Sequence, residues 1–227
     1  MKRPAPLARL WQSDKGLSAL LVFLCLALFL GAPLSDAGSA GELVFDVLFS
    51  LLLVSGVVTV GKRPLVAGFV AALTVATLVL RWAAFRSPDS ASKLAGFALS
   101  IVLLAILAAL VLVQVFREGP ITAYRIQGAI VVYLLVGFAW AAAYEVVYRA
   151  WPGAFQLAER SPSDLRITHA LLYYSFVTLT TLGYGDITPV HPAARSLAIS
   201  EALIGQLYPA ILIARLVSMR ISSRRDA

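Results

Sequence analysis

Long apolar runs, each about the thickness of a lipid bilayer, alternate along the chain with short polar connectors. Six of them, at residues 17–34, 43–61, 64–85, 94–116, 126–148 and 193–218, come near the roughly 20 residues that a helix needs to cross the hydrocarbon core. A seventh run, 170–182 (ALLYYSFVTLTTL), is apolar but too short to cross, and it follows a polar stretch rich in proline and charge at 149–169. That pattern predicts a re-entrant helix that enters and leaves by the same face of the membrane. GYGD comes directly after it. Non-helical backbone at membrane depth is tolerated only where protein buries it or water lines it, so the stretch 178–189 (TLTTLGYGDITP) is expected to line a cavity.

Composition agrees with lipid as the solvent. The 227 residues are 60 % hydrophobic and 14 % charged, with a mean hydropathy of +0.85, too apolar for a soluble domain of this length. A formal charge of +7 suggests nucleic acid at first sight. The bases, however, sit at the ends of apolar runs, where lipid headgroups lie, and form no stripe interleaved with aromatics. Lipid is therefore the expected partner and nucleic acid is not. Cys25 is the one cysteine and lies inside an apolar run, which leaves no disulfide framework and no zinc cluster. The threonine run lacks a general base and no His/Cys/Glu set has ligand spacing. An enzyme is not expected, nor a cofactor.

Basic residues set the orientation. Lys2, Arg3, Arg9 and Lys15 precede the first span, Lys62 and Arg63 part the second from the third, Arg117 and Arg125 fall in REGPITAYR, and Arg220, Arg224 and Arg225 close the chain. With both termini cytoplasmic, all of these lie inside. Arg81, Arg86 and Lys93 resist, because they bracket an outer turn. The first run could also be read as a secretion signal, with a basic start and GSA at 38–40. Its long preamble, Asp14 within it and the length of the apolar stretch favour a retained span.

The chemistry of TTLGYGD is that of a dehydrated cation. A monovalent ion crossing a bilayer needs its hydration shell replaced by oxygens, and backbone carbonyls from several chains can supply them around one axis. Successive carbonyls facing one way demand unusual backbone angles, which glycine reaches at least cost; Gly183 and Gly185 meet that need. The side chains of Leu182 and Tyr184 must then point away from the axis and brace the loop, while the hydroxyl of Thr181 can add a further oxygen. The short helix before the loop aims its negative C-terminal end at the cavity.

The run Thr180-Thr181-Leu182-Gly183-Tyr184-Gly185-Asp186 resembles the signature of potassium channels, and the resemblance covers roughly residues 126–218. It implies an all-α membrane protein of six transmembrane helices plus a re-entrant pore helix and filter loop. Residues 1–116 would form a four-helix domain like a voltage sensor, 117–125 a linker, and 126–227 the pore domain. K+ would be coordinated by Thr181, Leu182, Gly183, Tyr184 and Gly185, with Thr180, Asp186, Tyr173 and Tyr174 in support. The commonest signature has valine at Leu182. Relatives with a glutamate in the pore helix have it where this chain has Val177, and Tyr173 and Tyr174 stand where two tryptophans are common; their hydroxyls could reach Asp186. Gly205 and Pro209 mark where the inner helix could bend. In the resembled family a glycine at this depth often serves as a gating hinge, though it could equally permit close packing. Gln206, Ile213 and Val217 are the expected pore-lining face. One filter per chain implies a cyclic homotetramer.

The resemblance stops at the fourth run. Residues 94–116 contain no Lys or Arg, whereas steep voltage gating needs about 3–4 charges per subunit, each gaining about 2.3 kcal/mol per 100 mV. A signal would have to enter through the helices, lipid, protons or a separate regulatory subunit. Three acids fall within apolar runs: Asp46, Glu145 and Glu201. Glu145 or Glu201 could brace the filter or sense protons, paired with Arg195, or could simply be satisfied by hydrogen bonds. His169 and His191 flank the pore outside, as solvated loop histidines or as an external pH sensor. The expected function is passive potassium conduction across a cell membrane, and the compact architecture suggests a prokaryotic inner membrane. A cation-transport subunit, or a non-conducting sensor built on the pore fold, is the alternative.

Overall fold

The computed structural model describes residues 14–35, 38–60, 64–86, 90–117, 122–157 and 164–225. Lys2, Arg3, Arg9, Lys62 and Arg63 lie outside them. The described chain is built of helices: α1 (Asp14–Ser35), α2 (Gly38–Val60), α3 (Pro64–Arg86), α4 (Ser90–Val115), α5 (Ala123–Ala150), α6 (Asp164–Leu179) and α7 (Pro192–Arg225). Five of these, α2 to α5 and α7, are long and apolar enough to cross a membrane; the qualifying stretch of α1, Gly16–Gly31, is shorter. The helices overrun the apolar runs at most ends, because a polar residue does not end a helix that begins in lipid. The pore helix shows this most clearly. It opens six residues before the apolar run, at Asp164, and stops at Leu179, where the two threonines turn into the GYGD loop.

The helices form one packed body with α5 at its centre, in contact with α1, α4, α6 and α7. α4 and α5 pair along their lengths as an antiparallel hairpin. The core between the front helices and α5 is filled by leucines that are wholly buried, among them Leu24, Leu52, Leu104, Leu107 and Leu135. α7 contributes least to this core, and its apolar residues Ile199, Leu203, Leu207 and Ile211 face outward.

Two polar features tie helix ends together near the C-terminus of α5. The first was outside the reach of periodicity: β1 (Phe155–Gln156) and β2 (Thr188–Pro189) pair antiparallel, with Phe155 opposite Pro189 and Gln156 opposite Thr188. Val190 N adds a bond to Ala154 O at 2.8 Å, and the Trp151 ring stacks on His191 with centroids 4.8 Å apart. The segment leaving the filter is thereby pinned to the end of α5. The second feature accounts for Arg81. Its guanidinium donates to Asp46 at 2.6 Å and lies 4.3 Å above the Phe49 ring. Arg149 binds Glu145 at 3.0 Å and sits 5.3 Å over Phe97, and Thr168 of α6 donates to the same carboxylate. A cavity of about 150 Å³ opens among these groups. A base at this end of the helices thus needs no headgroup when an acid and an aromatic face serve it.

Candidate ion-conduction site

α6 delivers its C-terminus to the loop expected to act as a filter, residues 180–186, and hydrogen bonds carry the chain across the change of direction. Thr180 Oγ1 donates to Phe176 O at 2.6 Å, Thr181 N to Thr178 O at 2.9 Å, and Leu182 N to Val177 O at 2.9 Å. Gly183 N also points at Val177 O, at 3.4 Å. Beyond that point the backbone alternates. Thr181, Gly183 and Gly185 have φ of 61°, 58° and 80°, while Leu182 and Tyr184 between them do not share the positive sign. Alternation of this kind turns successive carbonyls to one side. Within one chain a Cβ at Gly183 or Gly185 would meet nothing within 4 Å, so the positive φ is the demand for glycine that a single chain makes there. The pattern begins two residues before the first of the glycines, at Thr181, a non-glycine residue in a region that costs on the order of 1–3 kcal/mol.

Gln206 of α7 meets that strained residue: its Nε2 donates to Thr181 Oγ1 at 2.9 Å. Of the inner-helix residues named from the sequence, it alone touches the filter. Ile213 and Val217 lie further along α7 and are exposed, and Pro209 sits inside a helix that continues through it to Arg225. Gly205 is pressed against the pore helix. A Cβ there would lie 1.8 Å from Leu179 O, so close packing is a stringent demand at this position, whatever else it does. Tyr133 Oη donates to the same carbonyl at 3.1 Å.

The two pore-helix tyrosines do different things. Tyr173 is part exposed and its hydroxyl bonds to Asp186; Asp186 Oδ1 also accepts Ile187 N at 3.1 Å. Tyr174 turns inward, packed edge-on against Tyr144 and Phe155 with centroids 4.9 and 5.6 Å away, and bonds to Thr178. Leu182 and Tyr184 are 59 % and 67 % exposed, so no surface of their own chain braces them.

Two sequence expectations are corrected. Arg195 does not meet an acid in the membrane; its Nε donates to Pro189 O at 3.1 Å. Glu145 pairs instead with Arg149, and Glu201 lies with Tyr144 Oη and Ser175 Oγ, each 2.5 Å from one of its oxygens. The spacing carried a signal for the second: Glu201 stands four residues before Gly205, on the same helical face, and that face meets α6. His169 is not a solvated loop residue. It is buried on α6, edge-on to Phe45 at 4.4 Å, with α1's Gly31 so close that a Cβ there would fall 2.5 Å from Nδ1. Burial pushes its imidazole down to about 4, which keeps it neutral.

Known proteins resemble this half of the chain. A family model described as an ion channel matches residues 121–221. "Two pore potassium channel c" of Oryza sativa subsp. japonica is 45 % identical over 74 residues, 31 % of this chain and 15 % of that protein. "Two pore potassium channel b" of the same plant is 37 % identical over 93 residues, 40 % of this chain and 23 % of that one. "Protein LctB" of Bacillus caldotenax is 42 % identical over 57 residues, 25 % of this chain and 42 % of its own length. The chain thus spans less than half the length of each of these relatives. No solved structure matches it. The likeness to ion channels thus falls on residues 121–221, the stretch that holds α5, α6, the glycine loop and α7.

Proposed function

We propose that four copies of this chain form a potassium-selective channel that conducts passively through a ring of Thr181, Leu182, Gly183, Tyr184 and Gly185 carbonyls. The observation that carries this reading is the alternating backbone at Thr181, Gly183 and Gly185, set at the negative end of a pore helix. A ring of subunits is favoured by what one chain leaves uncovered: the filter side chains Leu182 and Tyr184 and the outward apolar face of α7. Neighbouring copies would cover both, and cyclic symmetry would close the ring. In this assembly α1 is a sixth span and both termini are cytoplasmic. Tyr173 and Asp186 hold the outer end of the filter, Gln206 holds its inner end, and Ile213 and Val217 line the path below. Voltage does little to it, since the basic residue of α4, Lys93, stands near its outer end.

The test is ion flux through purified protein in liposomes under potassium and sodium gradients, beside Gly183→Asp. Potassium-selective flux that disappears in the variant, with no steep dependence on membrane potential, is the expected result. Equal sodium and potassium flux would refute the selectivity. Absence of flux from a folded oligomer would refute conduction and favour a regulatory or transport-complex role.

A further inference from the structure

Behind the pore helix lies a carboxyl group that the ion path does not touch. Glu201 on α7, Ser175 on α6 and Tyr144 on α5 are each 0 % exposed within a single chain, so a neighbouring copy has no access to them. Among the described residues, the arginines near the outer ends are engaged elsewhere: Arg81 with Asp46, Arg149 with Glu145, Arg195 with a carbonyl. The titratable groups that face Glu201 are tyrosines, Tyr133 and Tyr144 from α5 and Tyr174 from α6. A carboxylate there would be a buried charge without a cation, an expensive state.

Counting protons leads to the same place. Three oxygen–oxygen contacts meet at this point: Tyr144 Oη to Glu201 Oε2 at 2.5 Å, Ser175 Oγ to Glu201 Oε1 at 2.5 Å, and Ser175 Oγ to Gly137 O at 2.7 Å. Each needs one hydrogen between its oxygens. The Gly137 carbonyl brings none and the two hydroxyls bring one each, so the third belongs to the carboxyl. We propose that Glu201 is held as a neutral carboxylic acid whose proton positions the pore helix. It donates through Oε1 to Ser175, Ser175 donates to Gly137 O, and Tyr144 donates to Oε2. One proton relay thereby joins α7, α6 and α5. Ser175 stands two residues before Val177, whose carbonyl receives the filter amides of Leu182 and Gly183. Without the proton, the single hydrogen of Ser175 cannot serve both neighbours, and α6 is released from α5 or from α7.

Glu201 is a positioning residue, and the functional half of this proposal rests on the channel reading above. The test uses the full chain in liposomes. Infrared difference spectra between neutral and alkaline pH should show a protonated-carboxyl C=O band that is lost from wild type and missing in Glu201→Gln. Potassium flux should decline on the alkaline side in wild type and stay level in Glu201→Gln, whose amide supplies a donor and an acceptor in the same places. It should be lost in Glu201→Leu. No such band at neutral pH would overturn the neutral acid, and matching pH profiles for wild type and Glu201→Gln would overturn the positioning role. A band without flux in any variant would uphold the acid and overturn the channel reading instead.

Discussion

Adding one methyl group at Gly205 tests the junction between α6 and α7. A helical glycine changed to alanine ordinarily stabilises by about 1 kcal/mol, from propensity alone. Here the opposite sign is expected. The new Cβ would lie 1.8 Å from Leu179 O and 2.8 Å from its carbon, and contacts under 3.0 Å are essentially never seen, so the helices must part by at least 1.2 Å (3.0 less 1.8). The obstacle is backbone, which cannot rotate aside. Overpacking of this kind costs about 1–3 kcal/mol, occasionally more, and the shift also strains the Tyr133 bond to Leu179 O, a bond of about 1 kcal/mol. The net loss of about 1–3 kcal/mol corresponds to a fall in melting temperature of roughly 2–12 °C for a chain of this size. Thermal unfolding of the detergent-purified protein, followed by fluorescence and by size-exclusion chromatography, reads it, and liposome flux reads the damage at the filter. A Gly205→Ala protein that melts like wild type and conducts with altered gating would refute the steric reasoning and leave a hinge as the reason for the glycine.

Two smaller substitutions probe the ends of the same scaffold. Tyr173→Phe removes the hydroxyl that bonds Asp186 and leaves that carboxylate the Ile187 amide; the protein should fold normally, with selective flux that decays severalfold faster under sustained gradients, and an unchanged time course would sink the idea. Asp46→Ala strands Arg81 on its aromatic support, with the two side chains only 14 % and 21 % exposed. The loss should be about 1.5–3 kcal/mol, and a double-mutant cycle with Arg81→Met should recover a coupling above about 0.5 kcal/mol; additive effects would show that the pair is incidental.

How much of this could be read from the sequence depends on whether one segment or two are needed to see it. Span positions follow from run length against bilayer thickness, so α2 to α5 and α7 fall where the apolar runs lie. The filter is legible because glycine spacing reports backbone angles locally. The left-handed turn at Thr181 is not, since threonine does not advertise it; the bonds around it make that backbone affordable. Glu201, Arg81 and His169 each depend on a partner from a distant helix, and a hydropathy pattern carries no pairing information. Gly205 is instructive in another way. Its depth suggested a hinge, while the distance to Leu179 O, invisible in sequence, gives the methyl-free position a steric reason.

The α4–α5 hairpin has a mechanical consequence. α4 and α5 lie side by side, with residues 116–122 between them in sequence, so a sliding of α4 is resisted by its packing on α5. The pore helix, moreover, rests its His169 against α1 and α2. A displacement of α1 or α2 would therefore be felt by α6 directly, through this packing contact.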